Sequence, residues 1–388
     1  MTTPADCVYL DYAATTPLAP EAAAAMQEIG ALAANPASTH PAGRAARALV
    51  ERARGQLADL LNTDPATLVW TSGATEANNL AIAGVARCRA HRGRHLVTMR
   101  TEHKSVTDVC AALEREGWEV SWLPPDADGR LSPAVLEGAL RDDTALVSVM
   151  YVNNETGVIQ DIERLGAACR ARDVLFHCDA AQAAGRLPLD LSRLPLDLVS
   201  LTAHKMYGPQ GIGALYLADR PGCRLFPLMH GGAQERRLRP GTLPVRLAAG
   251  FGAAAAVAAC RREEDAARVR RLGERLWRRL SVLPELERNG KPEHAWAGIL
   301  NVSAAGVEGE SLLLALEPVC VARGSACNAE SGEASHVLRA LGRSDALAQS
   351  AVRFSFGRGT TDADIDTAAD RYVRAVERLR ALAPASAA

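Results

Sequence analysis

Lysine is almost missing from this chain of 388 residues: only Lys104, Lys205 and Lys291 interrupt a basic complement that is otherwise arginine. A genome rich in G and C would favour arginine codons. A lysine that survives in such a chain can still do what guanidinium cannot, which is to lose its proton and act as an amine nucleophile. Net charge is also missing, since 44 Lys and Arg against 45 Asp and Glu leave −1. That balance gives no basis for a nucleic-acid or membrane surface, and the basic runs Arg261–Arg262 and Arg268–Arg271 are interleaved with Glu263, Glu264 and Asp265 as on a solvated helix face. No apolar run reaches the length of a membrane span. The opening MTTPADCVYLDYAATTP is polar and turn-rich, without the charged start and apolar run of a leader. No two of the nine cysteines have C-x-x-C spacing, so a zinc or dithiol motif is not signalled. The phosphate loop G-x-x-x-x-G-K-[ST] is absent, as is G-x-G-x-x-G after an opening strand, which argues against an NTPase and a dinucleotide fold. These absences lead us to expect a cytoplasmic protein with reduced thiols.

What is present is an alternation. Short β-branched runs, Thr67–Ser72, His95–Arg100, Glu119–Pro124, Ala145–Val152, Val174–Ala180, Leu196–Ala203 and Gly213–Ala218, read as strands separated mostly by helical segments. That pattern predicts a mostly parallel sheet covered on both faces. After about Gly250 the pattern changes to a long alanine- and arginine-rich helix, expected over 253–283, and then to the strand-like pieces GILNVS, EPVCVAR and AVRFSFG with helices around them. The expectation is a large α/β domain packed closely against a smaller α+β domain.

In an open parallel sheet, ligands bind beyond the carboxyl ends of the strands. The first strand is followed by SGATEANN, a small-residue turn into a helix whose opening amides, around Ala74, suit a phosphate; Thr75 adds a hydroxyl. His103 follows the second strand and Asn154 the fourth. Asp179 ends the fifth, with Gln182 three residues on; Thr202, His204 and Lys205 end the sixth. Singly, each has an ordinary structural explanation as a helix cap or hydrogen-bonded polar residue. Together they set a phosphate cradle, an aromatic ring, an amide, a carboxylate and a rare lysine at one sheet edge. Pyridoxal phosphate needs that set: an amine for its aldehyde, an acid at its pyridine nitrogen, a helix start for its phosphate and a flat ring on its face.

These motifs resemble the cysteine desulfurases of the NifS/IscS kind, class V of the fold-type-I pyridoxal-phosphate transferases. The likeness runs from YLDYAATTP through TSGATEANNLAI, TEHKSV, VSVMYVNNETGVIQDI, HCDAAQAAGRLPLD and AHKMYGPQGIGALY to HGGAQERRLRPGTLP, RGSACNAESGEASHVLRALG and VRFSFGRGTT. The resemblance implies an α/β fold with a seven-stranded, mostly parallel sheet in a large domain at 15–255, and a small domain made of 1–14 and 256–388 that carries a cysteine loop at about 322–335. It implies that Lys205 carries the cofactor and Asp179 pairs with its ring nitrogen. His103 stacks on the ring and shuttles protons, and Gln182 reaches the phenolic oxygen. Thr75, Thr202 and His204 hold the phosphate, which Thr242 reaches from the other subunit of a homodimer. Arg353 and Asn154 hold the substrate carboxylate, a role that suits a planar guanidinium. Cys327, set among small polar residues in ARGSACNAESG, becomes the thiolate that takes sulfur from L-cysteine. Cys178 and Cys320 are left as packing residues.

Gln210 stands where a lysine is common in the family, and Pro240 replaces a small residue before GTLP. The chain stops at LAPASAA, without the longer tail of the housekeeping form, which favours a specialised sulfur route. The expected acceptor is a protein: an iron–sulfur scaffold, a tRNA-thiolation enzyme or the DNA-phosphorothioation machinery, with no direct nucleic-acid contact. Two alternatives stay open at this point: another class V enzyme, such as an aminotransferase or selenocysteine lyase, and an inactive interaction subunit.

Overall fold

The computed structural model describes residues 7–30, 34–324 and 334–382. Its strands are β1 (Val8–Tyr9), β2 (Leu68–Thr71), β3 (His95–Met99), β4 (Glu119–Leu123), β5 (Thr144–Met150), β6 (Leu175–Asp179), β7 (Leu198–Thr202), β8 (Gly213–Leu217), β9 (Leu286–Arg288), β10 (Ile299–Ala304), β11 (Val319–Cys320) and β12 (Ala351–Ser355). Seven of them form one sheet in the order β2-β8-β7-β6-β5-β3-β4. The neighbours β7-β6, β6-β5, β5-β3 and β3-β4 are parallel, whereas β8 runs antiparallel to both β2 and β7. Each of the seven predicted strands is present with ends shifted by a residue or two, all trimmed except at the start of β5, which begins one residue early at Thr144.

The central strands are apolar on both faces because both faces are covered. Leu96, Leu146, Leu175 and Leu198 pack on one side with the helices Ala74–Arg89 and Lys104–Arg115. Val97, Val147, Phe176 and Val199 alternate to the other side, against Leu57 of the helix Pro41–Leu61 and Phe251 of the helix Val245–Leu280. That last helix begins eight residues earlier than the sequence predicts. Its opening turns hold Gly250 and Gly252, which weaken helix propensity. Packing requires them: a Cβ on Gly252 would lie 2.6 Å from Ala53 Cα, and one on Gly250 2.7 Å from Met26 Cγ.

The same helix continues past this core into a second one. Its Val269, Leu272 and Leu276 join Val302, Phe354 and Tyr372 under a three-stranded sheet, β12-β10-β9. The start of the chain also belongs there, because β1 pairs in parallel with β11, Val8 opposite Val319 and Tyr9 opposite Cys320. This pairing overturns two expectations. Cys320 is half-buried, not packed in the core, and it is joined to Cys7 in a disulfide with Cα atoms 6.8 Å apart, so these two thiols are not free. Sequence position gave no warning of it, since 313 residues separate the pair. Cys178 does pack, fully buried in β6. Among the described residues no helix is long and apolar enough to cross a membrane.

Candidate active site

The carboxyl ends of β2, β3, β5, β6 and β7 open onto a single cavity of about 490 Å³. Ala74, Thr75, His103, Asn154, Asp179, Gln182, Thr202, His204, Lys205 and Arg353 all line it. Two residues singled out in the sequence are not in this cavity. Thr242 lines a separate one of about 290 Å³, with Asn35 and Gln234, and Cys327 lies outside the described residues.

The phosphate end follows from β8. Gly213 pairs with Thr71 of β2 and with Thr202 of β7, and it must be glycine: a Cβ would fall 2.5 Å from the Leu201 carbonyl oxygen and 2.6 Å from Gly73 Cα. The close approach seats the Gly73 turn beside the Thr202 hydroxyl. Gly73 opens the helix Ala74–Arg89 without any side-chain cap, so the first amides of a 16-residue helix are left for an anion. Glu76 in that first turn is ionised, and its charge is paired with Arg239. Burial works against its carboxylate, but the Arg239 guanidinium at 2.9 Å and the Ser72 N–H at 2.7 Å hold its pKa below the usual range. His204 sits beside the cradle with Nδ1 3.1 Å from Thr15 Oγ1; burial, then Lys205 and Arg186, push its pKa down to about 4, so it is a neutral ring at pH 7.

At the other end, Asp179 accepts from the Ala181 N–H at 2.9 Å and from the Asn78 amide at 2.8 Å, one bond to each oxygen, which fixes the plane of its carboxyl group. His103 caps the next helix: its Nδ1 accepts from the Ser105 N–H at 3.1 Å. Burial, then the Lys205 charge, lower its pKa. The Gln182 amide donates to the Ala13 carbonyl at 2.8 Å and accepts from Arg186, leaving one N–H. Arg186 in turn donates to the Tyr12 and Lys205 carbonyls, tying the start of the chain to the lysine's backbone.

Arg353 on β12 is 1% exposed. Its Nη1 donates to the Asn154 carbonyl at 2.8 Å and its Nη2 to Asp11 at 2.7 Å, while Nε has no partner among the described residues. Next to Asn154, the fully buried Glu155 meets both ends of the segment that holds Cys327. Its Oε2 accepts from Ser335 Oγ at 2.5 Å, and Gly324 passes so close that a Cβ there would lie 3.0 Å from the same oxygen.

Sequence reasoning missed Asn78, Ser105, Glu102 and Glu155. Asn78 had a signal, since it lies four residues past Ala74 on the same helix face. Glu102 is fully buried behind His103 and accepts from the Met150 N–H at 3.0 Å; burial holds its carboxyl well above the ordinary pKa.

A cofactor of the pyridoxal-phosphate type fits this donor set: an uncapped helix start, a neutral histidine ring, a carboxylate with fixed plane and a lysine around one cavity. Comparison with known proteins agrees. The family model described as "Aminotransferase class-V" matches residues 8–367. The "Cysteine desulfurase IscS" of Shewanella piezotolerans is 49% identical over 381 residues, covering 97% of this chain and 94% of its own. Among solved structures, a "NIFS-LIKE PROTEIN" superposes with a TM-score of 0.87 at 31% identity, over 97% of this chain and 99% of that one. "SspA in complex with cysteine" does so with 0.80 at 37%, over 90% and 98%. The chain thus belongs to the class V aminotransferase family, as a cysteine desulfurase dependent on pyridoxal phosphate.

Proposed function

We propose that Cys327 is the sulfur acceptor of this desulfurase and that Lys205, Asp179, His103 and Arg353 prepare the substrate for it. L-cysteine and the Cys327 thiol give L-alanine and a Cys327 persulfide. The Cys327 thiolate attacks the substrate sulfur, the C–S bonding pair stays with the β carbon, and that carbon takes a proton. Bound pyridoxal phosphate supplies the electron-withdrawing ring that makes the Cα proton acidic and the C–S bond labile. Lys205 holds the cofactor aldehyde and takes up the Cα proton. When the cofactor is bound, Asp179 would pair with its ring nitrogen, His103 would stack on the ring, and the remaining Gln182 N–H would donate to its phenolic oxygen. The amides of Ala74 and Thr75, with Thr202 and His204, hold the phosphate. Arg353, fixed by Asp11 and the Asn154 carbonyl, takes the substrate carboxylate.

The observation that carries this reading is that residues from five separate strand ends and from β12 line one cavity. The place of Glu155 supports the role of Cys327: both Gly324 and Ser335 rest on it beside Asn154, so the segment between them starts and ends next to the substrate position. We further propose a cytoplasmic homodimer in which Thr242 serves the partner's phosphate; its location in a separate cavity suits that. The division into domains at 15–255 and at 1–14 with 256–388 is proposed with it, as is delivery of the sulfur to an acceptor protein.

Mass spectrometry of the Cys327 peptide after one turnover with L-cysteine tests the central claim. One added sulfur on Cys327 is expected, and Cys327→Ser is expected to keep the visible cofactor band while losing that sulfur. Full sulfide release by Cys327→Ser would remove Cys327 from the mechanism.

A further inference from the structure

Asn78 is completely buried on the helix that opens the phosphate cradle, and its amide reaches two residues of the site at once. One N–H goes to Asp179 Oδ2 at 2.8 Å and the other to Ser105 Oγ at 2.8 Å. Turning the amide over would set its oxygen against the Asp179 carboxylate, so the orientation is forced. The cost is visible: Asn78 Oδ1 is buried and has no partner among the described residues.

The direction of the chain then follows from counting protons. Ser105 Oγ accepts from Asn78, and its own hydrogen is free for His103 Nδ1, 2.8 Å away. The Ser105 backbone N–H donates to the same nitrogen at 3.1 Å. A proton on Nδ1 would face two donors. The neutral ring therefore carries its hydrogen on Nε2, the nitrogen turned away from Ser105.

We propose that Asn78 is a positioning residue that locks Asp179 and, through Ser105, His103 into one hydrogen-bonded frame and fixes His103 as the Nε2–H tautomer. In this frame His103 offers the cavity a hydrogen-bond donor rather than a base, and Lys205 is left as the base. The proposal rests on the reading that Asp179 and His103 flank the cofactor, but it does not depend on Cys327.

The test is a long-range ¹H–¹⁵N correlation on ¹⁵N-histidine-labelled protein, with and without cofactor. His103 is assigned by the signal lost in His103→Gln. The neutral Nε2–H pattern is expected at neutral pH in the wild type. Asn78→Asp replaces the donor to Ser105 with an acceptor, so the serine hydroxyl turns to it and the Nδ1–H form is expected to grow. Asn78→Ala, which leaves Asp179 held, among the described residues, by the Ala181 N–H alone, is expected to bind pyridoxal phosphate about tenfold more weakly, the loss of roughly one hydrogen bond to a charged group. A wild-type Nδ1–H or doubly protonated ring, an unchanged tautomer in Asn78→Asp, or unchanged cofactor affinity in Asn78→Ala each overturns the proposal. Should Asn78→Asp fail to fold, the wild-type tautomer and Asn78→Ala still decide it. Absence of sulfur on Cys327 in the persulfide experiment leaves these readouts untouched, so the two claims fail separately.

Discussion

Substitution of Gly213 by alanine should damage cofactor binding from inside the sheet, without touching any residue that meets the cofactor. The added methyl would stand 2.5 Å from the Leu201 carbonyl oxygen, 2.6 Å from Gly73 Cα and 2.7 Å from Gly73 C. All three obstacles are backbone, so no side chain can swing aside. β8 is held between β2 and β7, and a shift of either strand breaks ladder bonds; the Gly73 turn is the softer wall. Relief of roughly 1 Å there costs about 1–3 kcal/mol of stability as overpacking. The same shift carries the amides of Ala74 and Thr75 off the phosphate position. Loss of one hydrogen bond to a charged oxygen is worth about 1.5–3 kcal/mol, which is about ten- to a hundredfold in affinity. Titration of the apoprotein with pyridoxal phosphate, followed by the visible band, reads the affinity; urea unfolding of the same apoprotein reads the stability. Lowered stability with wild-type affinity would mean that the cradle does not lie at this turn. No change in either would refute the close packing of Gly213 on Gly73.

Two further substitutions report on buried charge. Glu102 is held protonated in the folded protein by burial, so the native state keeps a proton that the unfolded chain releases near its ordinary carboxyl pKa. The stability this group contributes is fully present below that value and is lost as pH rises above it, at about 1.4 kcal/mol for each pH unit until the folded carboxyl also ionises. Glu102→Gln removes the titration, so the variant should gain on the wild type as pH goes from about 5 to about 8; a difference in urea midpoint that is flat with pH would mean an ionised Glu102. Glu235 is bonded to Arg54 at 2.8 and 2.9 Å and accepts from the Trp70 N–H at 2.6 Å, with both charged side chains buried. Glu235→Ala leaves Arg54 with Glu51 as its remaining carboxylate, at 3.0 and 3.2 Å, and takes an acceptor from the Trp70 N–H; it should cost about 1–3 kcal/mol in urea unfolding, with faster proteolysis of the segment leading to Thr242.

Much of the sheet and of the cofactor end was legible because both rest on local pattern. Each buried strand reads as an apolar run, and each site residue from Ala74 to Lys205 follows directly after one. Asn78 and Glu155 were not legible. Their meaning comes from partners on other elements, Asp179 and Ser105 for one, Ser335 and Gly324 for the other, and no spacing encodes a contact across the sheet. The eight extra residues at the start of the long helix were hidden for a related reason: Gly250 and Gly252 lower local propensity, and only the neighbouring helices explain them. The disulfide between Cys7 and Cys320 belongs with these, since it follows from the parallel pairing of the first strand with one near the end.

That pairing also has a bearing on the order in which the enzyme can be made. Residues at the cofactor end of the cavity lie between Ala13 and Gly211, so a ribosome has emitted them all before the three-stranded sheet exists. Arg353 and the partner strand of β1 come only with the last stretch of synthesis, many seconds later at about 5–20 residues per second. Until then, Tyr12 and Ala13 can rest on Arg186 and Gln182, but β1 lacks its partner strand and Asp11 lacks Arg353. The nascent chain therefore acquires a place for its cofactor well before it can select a substrate, and β1, although early in the chain, is among the last strands to be paired.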